Sequence, residues 1–126
     1  CILPMEYIVT GAAFSLRPGD PAAIRAKMDE LAARRKEKQP LEFPSAGSTF
    51  KRPAGNFAGK LIMEAGLKGF SVGGACVSEK HCGFVVNKGG ASSADIMELC
   101  RIVKERVREH SGVALELEIR LLGDFS

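Results

Sequence analysis

One serine hydroxyl in this 126-residue sequence lies beside a glycine and within four positions of two cations. The run is PSAGSTFKRP, residues 44–53, in which Ser48 follows the glycine. Prolines and a glycine around it are typical of a loop, and loops often carry binding or catalytic groups. Lys51 and Arg52 favour an anionic ligand such as phosphate. Two interpretations of Ser48 stay open: it orders the loop, which the pattern alone favours, or it donates a hydrogen bond or a proton to a ligand.

A second group of charged residues lies near the end of the chain, where residues 113–122 predict a strand. Apolar residues occupy the odd-numbered positions from 113 to 121, and Glu116, Glu118 and Arg120 lie between them. Because side chains alternate along a strand, these three share one face. Glu118 is interpreted either as half of a solvated pair with Arg120 or as an acid at a functional site. The pattern alone favours the solvated pair.

Composition and missing motifs exclude several classes of function. The sequence has no G-x-S-x-G turn for a hydrolase serine, and neither a G-x-x-x-x-G-K-[ST] loop nor a strand-borne G-x-G-x-x-G loop for nucleotide phosphates. The four cysteines form no C-x-x-C pair, so no zinc site is expected and the thiols are predicted to be reduced. A net charge of +3 with 6% aromatic residues gives little support for base stacking on nucleic acid. No apolar run approaches the ~18 residues of a membrane span.

A charged helix is predicted to begin after the N-cap Asp20, with Pro21 at its first position and Pro40 beyond its end. Residues 34–38 place four cations near this end. They are interpreted as a phosphate-binding patch or as a solvated face close to the negative pole of the helix. The pattern favours the solvated face.

Shorter elements are predicted in the middle of the chain. A short helix over residues 57–65 is expected to end at Gly66. Gly73-Gly74 marks either a bulge or a place where the backbone approaches a ligand, and both interpretations stay open. Residues 84–87 predict a short apolar strand.

The most clearly marked helix begins with a predicted capping box between Ser92 and Asp95 and ends at Gly112. Its narrow apolar stripe consists of Ile96, Leu99, Cys100, Val103 and Val107. Together the elements predict an α+β fold, in which a small mixed or antiparallel sheet packs with two to three helices.

Six segments in a fixed order carry a resemblance that goes beyond these patterns. They are residues 44–53 (PSAGSTFKRP), 58–62 (AGKLI), 65–69 (AGLKG), 73–81 (GGACVSEKH), 85–89 (VVNKG) and 112–120 (GVALELEIR). They closely resemble the UDP-N-acetylenolpyruvoylglucosamine reductase family, in its C-terminal, substrate-binding domain. The short spacing between Pro53 and Leu67 resembles the branch without an extra substrate-covering insertion.

The resemblance implies an NADPH-dependent flavin oxidoreductase that acts on a CH–CH group. Such an enzyme reduces the enolpyruvyl ether of UDP-N-acetylglucosamine enolpyruvate to UDP-N-acetylmuramate for bacterial peptidoglycan, in the cytoplasm, with bound FAD. The resemblance further implies that Ser48 is the proton donor, Glu118 an active-site acid and Arg120 a residue close to the flavin. Lys51 and Arg52 are expected to meet the substrate.

The same resemblance implies a division of labour between this chain and domains outside it. Residues 1–19 are expected to be an extended segment from the junction with FAD-binding domains, and residues 20–126 the substrate-binding domain. Since the family holds its flavin mainly in the other domains, this chain alone is expected to bind neither FAD nor NADPH and to be inactive. An apolar patch around Ile2, Leu3, Ile8 and Val9 is expected to allow self-association.

Three positions depart from the family pattern. Cys76 and Cys82 stand where other residues are expected, and Leu117 stands where proline is common but preserves the alternation of the strand.

The alternative hypothesis is a stand-alone basic module that binds nucleotides or nucleic acid. It would use the cations Arg34, Arg35, Lys36, Lys51 and Arg52.

Overall fold

A computed structural model describes residues 10–123 of the chain, which divides into two units, Cys1–Ala32 and Ala33–Ser126. The predicted apolar patch at residues 2–9 lies outside the described residues. In the first unit, residues 10–20 are exposed and carry no helix or strand. Among the helices of the described range, none is long and apolar enough to cross a membrane.

Helix α1, Pro21–Lys38, begins as the sequence predicts. The Asp20 carboxylate accepts a hydrogen bond from the Ala22 N–H at 3.0 Å, which satisfies one of the open donors of the first turn. No residue of α1 is buried, and its last turn carries Arg35, Lys36 and Lys38. This placement agrees with a solvated face near the negative end of the helix.

The second unit contains a four-stranded antiparallel sheet with the order β1-β4-β3-β2. The strands are β1 Ser45–Ser48, β2 Ser71–Val72, β3 Ala75–Val77 and β4 Phe84–Asn87. Gly73-Gly74 forms the two-residue turn that joins β2 to β3 and is not a bulge within a strand. The approach of a ligand to this backbone stays a prediction. Gly74 is required by crowding, because a Cβ there would collide with the Gly89 carbonyl oxygen. Gly73 has a φ of +52°, which favours glycine, and a Cβ there would displace the Asp95 carboxyl group.

Helices α2, Ala58–Glu64, and α3, Ser93–Ser111, complete the second unit. Helix α3 packs on β2, β3 and α2, and the predicted stripe of α3 supplies Leu99, Cys100, Val103 and Val107 to the core. The α+β prediction is therefore confirmed, with an antiparallel sheet and three helices in the described chain.

The predicted helix ends are confirmed by their hydrogen bonds. Ser92 and Asp95 form the full capping box, with bonds of 2.8 and 3.1 Å, and Gly112 adopts the left-handed conformation after α3. At the end of α2, Gly66 has a φ of +72°. The N–H of Leu67 donates to the Ile62 carbonyl, and both side chains are fully buried. This arrangement closes the helix and extends the core.

The predicted strand at residues 113–122 is only partly formed. The structure has a single antiparallel bridge there, between Phe50 and Leu117. The predicted alternation nevertheless holds: Leu115 is buried, Leu117 is half-buried, and the even-numbered side chains between 114 and 120 are exposed. The terminal segment, residues 113–120, therefore follows the edge of the fold beside Phe50 without a continuous ladder.

Candidate active site

The serine run is not simply a loop, because residues Ser45–Ser48 form the edge strand β1. Ser45 pairs with Val86 and Ser48 with Phe84, so β1 has one residue more than β4 between these pairs. Gly47 has a φ of +85°, a conformation that glycine adopts without strain. The bulge and its glycine resemble a loop in sequence and place Ser48 at the end of a strand.

The Ser48 pocket is a cavity of about 540 Å³ at this end of the sheet. Ser48, Arg52 and Glu118 line it together, although 70 positions separate Ser48 from Glu118 in the sequence. Its volume falls in the range of about 300–1,000 Å³ that is common for small-molecule sites. Ser48 is exposed, and its hydroxyl makes no hydrogen bond to any residue between 10 and 123.

Backbone hydrogen bonds bring the terminal segment beside the serine run. The Glu118 N–H donates to the Thr49 carbonyl, and the Lys51 N–H donates to the Glu116 carbonyl, both at 2.9 Å. Glu118 and Arg120 form no ion pair, so the predicted solvated pair between them is absent from the described chain. Glu118 lines the pocket instead.

Two of the predicted site residues do not line the pocket. The Lys51 ammonium pairs with the Glu116 carboxylate at 2.9 Å, on the exposed surface. This contact raises the pKa of Lys51 and lowers that of Glu116. Arg120 is exposed and lies outside the pocket lining.

Arg52 has an aromatic neighbour at the pocket rim. Its guanidinium carbon lies 4.0 Å from the centre of the Phe57 ring, the residue that precedes α2. Stacking of this kind is favourable by about 0.5–1 kcal/mol at exposed sites and restricts the orientation of the guanidinium. Phe57 therefore holds a cation beside Ser48 and Glu118.

The charges around the pocket favour an anionic ligand. Four cations, Arg52, Lys60, Lys68 and Lys80, face two carboxylates, Glu79 and Glu118. A hydrogen bond of 3.0 Å from Lys88 lowers the pKa of Glu79, so a residue outside the pocket neutralises this carboxylate. Two of the cations also pair outside the pocket, Lys60 with Glu64 at 3.7 Å and Lys80 with Glu42 at 3.4 Å. Arg52 and Lys68 then remain opposite Glu118, which leaves one positive charge in excess. The excess of positive charge suits a ligand that carries phosphate or carboxylate groups.

Several lining residues were not identified as site residues from the sequence, although most lie in the segments that carry the family resemblance. His81 accepts a hydrogen bond from the Gly83 N–H at its Nδ1, at 3.1 Å, so the neutral ring carries its proton on Nε2. Cys82 is buried, and burial raises the pKa of its thiol, with a smaller opposing effect of Lys68. Cys82 is therefore a protonated thiol at neutral pH.

Cys76 and Cys100 are also free and buried. Burial raises the pKa of Cys100 to about 11, in agreement with its predicted place in the core. Within residues 10–123, no cluster of histidine, cysteine, aspartate or glutamate side chains is arranged to hold a metal ion.

Comparisons with known proteins agree with this architecture. Residues 39–122 match the family model described as "UDP-N-acetylenolpyruvoylglucosamine reductase, C-terminal domain". Proteins named UDP-N-acetylenolpyruvoylglucosamine reductase match from Agathobacter rectalis, 60% identical over 119 residues, and Clostridium perfringens, 53% identical over 122 residues. These matches cover 94% and 97% of this chain but 38% and 40% of the relatives, so the chain spans about two fifths of their length.

A solved structure is also similar. The crystal structure of UDP-N-acetylenolpyruvylglucosamine reductase from Thermus caldophilus aligns with a TM-score of 0.67 and 40% identity, over 84% of this chain and 37% of that one. The family match covers two thirds of the chain and includes every lining residue named above. The chain belongs to the family of UDP-N-acetylenolpyruvoylglucosamine reductase C-terminal domains.

Proposed function

We propose that this chain is the substrate-binding part of a reductase that converts UDP-N-acetylglucosamine enolpyruvate to UDP-N-acetylmuramate. The observation that carries the proposal is the meeting of Ser48, Arg52 and Glu118 in one electropositive pocket. A hydroxyl donor, a cation and a carboxylate are the groups needed beside an anionic substrate that must accept a proton. The proposal includes peptidoglycan synthesis in the bacterial cytoplasm as the role of the complete enzyme.

The proposed reaction adds a hydride and a proton across the enolpyruvyl double bond. When bound, reduced FAD, itself regenerated by NADPH, would supply the hydride to the outer vinyl carbon. The electron pair of the double bond then moves toward the substrate carboxylate, and the adjacent carbon takes a proton from the Ser48 hydroxyl. Solvent returns a proton to the serine oxygen, so the substrate gains two electrons and two hydrogens in total.

Ser48 is suited to this step by its position rather than by its acidity. A serine hydroxyl is a weak acid, so it must lie directly against the carbon that it protonates. In the described chain its hydroxyl has no competing hydrogen-bond partner. Arg52 would stabilise the charge that develops on the substrate carboxylate, and Phe57 limits the freedom of its guanidinium.

The fit of a flavin to these residues is partial, and this agrees with a cofactor held mostly by other domains. Ser48 and Glu118 are exposed, so a cofactor carried by another part of the enzyme could reach the substrate beside them. Arg120 is exposed two residues beyond Glu118, where its guanidinium could contact such a cofactor. We propose residues 20–126 as the substrate-binding domain and residues 1–19 as the junction with the flavin-binding domains.

The proposed division at residues 19 and 20 has two consequences for the isolated chain. Without its partner domains, the isolated chain would bind neither FAD nor NADPH and would be inactive. The proposed junction, residues 1–19, would also favour self-association. The alternative of a basic nucleic-acid module has less support, because Lys51 pairs with Glu116 instead of adding to a shared cationic surface.

The test separates the two half-reactions of the complete enzyme by stopped-flow absorbance of the flavin. Ser48→Ala should leave reduction by NADPH within about twofold of the wild type and slow reoxidation by the enolpyruvyl substrate by about 10²–10⁴-fold. Ser93→Ala, which changes an exposed serine of α3 outside the pocket, is the control and should change neither rate. Unchanged reoxidation in Ser48→Ala would show that Ser48 is not the proton donor.

A further inference from the structure

Thr49 is the buried residue where three segments around the Ser48 pocket meet. Thr49 follows Ser48 in the sequence and is only 2% exposed. The Thr49 N–H donates to the Gly83 carbonyl, and its carbonyl accepts from the Glu118 N–H, both at 2.9 Å. Its hydroxyl oxygen accepts from the Val85 N–H, also at 2.9 Å. One residue therefore connects the end of β1, the beginning of β4 and the terminal segment.

The hydroxyl of Thr49 replaces a backbone acceptor at the bulge in β1. The Asn87 N–H, two residues farther along β4, donates to the backbone carbonyl of Pro44. At Val85 the bulge has shifted the register, and the N–H there donates to a side chain instead. Val85 is buried, so an N–H without a partner at this position would be unfavourable. The bulge that presents Ser48 thus depends on a hydroxyl at position 49.

We propose that Thr49 is a positioning residue for proton transfer, an inference that rests on the proposed function. It contacts no pocket ligand itself, because it is absent from the pocket lining. Its side chain fixes the end of β1, from which Ser48 projects, while its carbonyl fixes Glu118 on the facing segment. Small displacements of a proton donor reduce the rate strongly, since proton transfer to carbon requires close alignment.

The test compares two substitutions of Thr49 in the complete enzyme, one that removes the hydroxyl and one that keeps it. Thr49→Val keeps the branched shape and removes the acceptor, whereas Thr49→Ser keeps the hydroxyl and removes the methyl group. Thr49→Val should slow flavin reoxidation by the enolpyruvyl substrate about tenfold, with reduction by NADPH unchanged. Thr49→Ser should remain within about threefold of the wild type. The solvent deuterium isotope effect on reoxidation should rise in Thr49→Val, because protonation becomes slower.

A merely structural role would give a different result. It would lower the melting temperature of both variants without a rise in the isotope effect or a difference between the half-reactions. Equal reoxidation rates in Thr49→Val and the wild type would overturn the inference. If Ser48→Ala slowed reoxidation in the same experiment, the proposed function would stand while the role of Thr49 failed. If Ser48→Ala had no effect either, the proposed function itself would fail.

A third variant keeps the inference falsifiable if Thr49→Val does not fold. Thr49→Cys retains a weaker acceptor of similar size. Its reoxidation rate should lie between the rate of Thr49→Ser and the roughly tenfold slower rate expected when the acceptor is lost.

Hydrogen exchange of the wild-type Val85 amide gives an independent readout. Strong protection is expected, and exchange as fast as at an open strand edge would overturn the inference.

Discussion

Two concave regions of the described chain differ in size and in the balance of their charges. The α3 groove, between α3 and residues 114–117, encloses about 1310 Å³, whereas the Ser48 pocket encloses about 540 Å³. In the groove, the Arg101 guanidinium is held by Glu98, at 2.7 Å, and by Glu105. In the pocket, four cations face two carboxylates, and the Ser48 hydroxyl has no hydrogen-bond partner in the described chain.

The difference shows why volume alone is a poor guide to a reactive site. In the larger α3 groove, Arg101 pairs with both Glu98 and Glu105, so these three charged side chains satisfy one another. The Ser48 pocket is smaller, yet it leaves a donor and an excess of positive charge available to a ligand. The smaller region is therefore the better candidate for chemistry.

The largest expected effect concerns the buried face of α3. Leu99 is fully buried, so Leu99→Ala should lower the free energy of unfolding by about 2–5 kcal/mol through lost contacts and a cavity. Reoxidation of the flavin should be unchanged at temperatures where the variant stays folded. Urea unfolding and stopped-flow absorbance measure the two quantities. Glu109→Ala on the exposed side of α3 is the control, with an expected change of less than about 0.5 kcal/mol.

The next prediction contrasts one arginine from each region. Arg52→Ala should raise the KM for the enolpyruvyl substrate about 10–100-fold, as expected for loss of a hydrogen bond to a charged group. Arg101→Ala, in the α3 groove, should leave this KM unchanged. Arg52→Lys keeps the charge but loses the planar stacking on Phe57, and an intermediate KM is expected. An increase for Arg101→Ala equal to that for Arg52→Ala would contradict the distinction between the two regions.

A smaller effect is expected at the beginning of α3, where the groove starts. Ser92→Ala removes the acceptor for the Asp95 N–H and should lower the free energy of unfolding by about 1 kcal/mol. Thermal melts followed by circular dichroism would detect it. Ser93→Ala, one residue farther along and without a capping bond, is the matched control.

The same capping box predicts a dependence on pH. The hydrogen bond from the Ser92 N–H lowers the pKa of Asp95 in the folded chain. Because the folded pKa lies below the unfolded one, the stabilisation is fully present above about pH 4 and is lost as the pH falls through the folded pKa. Asp95→Asn should therefore flatten the acid side of the stability curve. An unchanged acid slope in Asp95→Asn would exclude this contribution.

The smallest effect is expected for the ion pair between the two regions. Lys51 and Glu116 are both exposed, and exposed pairs of this kind contribute little. Glu116→Gln should leave the melting temperature and the substrate KM almost unchanged. Lys51→Ala should likewise leave the substrate KM almost unchanged. A large rise in KM for Lys51→Ala would show that Lys51 reaches the substrate despite its contact with Glu116, and would return Lys51 to the site.

Local patterns in the sequence predicted α3 well, because its determinants are close together in the chain. The Ser92–Asp95 box, the apolar stripe and Gly112 act within one helix, and the structure contains all three. The alternation near the C-terminus was also predictable. The extent of the strand was not, because it depends on pairing with Phe50, 67 positions earlier.

The pocket was less predictable because contacts between distant parts of the chain bring its residues together. Strand β1 exists because Ser45–Ser48 pairs with β4, about 40 residues later, while its own glycine and the preceding proline indicate a loop. The chain cannot reveal locally that Lys68, His81 and Glu118 converge on one cavity. The family resemblance singled out Ser48 and Glu118, but the pairing of Lys51 with Glu116 became visible only in the fold.

A crystal structure of the complete enzyme with the enolpyruvyl substrate would show whether Ser48 can protonate it. We expect the substrate to lie in the Ser48 pocket, with the Ser48 hydroxyl oxygen within about 3.5 Å of the carbon that receives the proton. Arg52 should lie beside the substrate carboxylate, and the α3 groove should be empty of substrate. An enolpyruvyl group bound in the α3 groove, or turned away from Ser48, would exclude Ser48 as the proton donor.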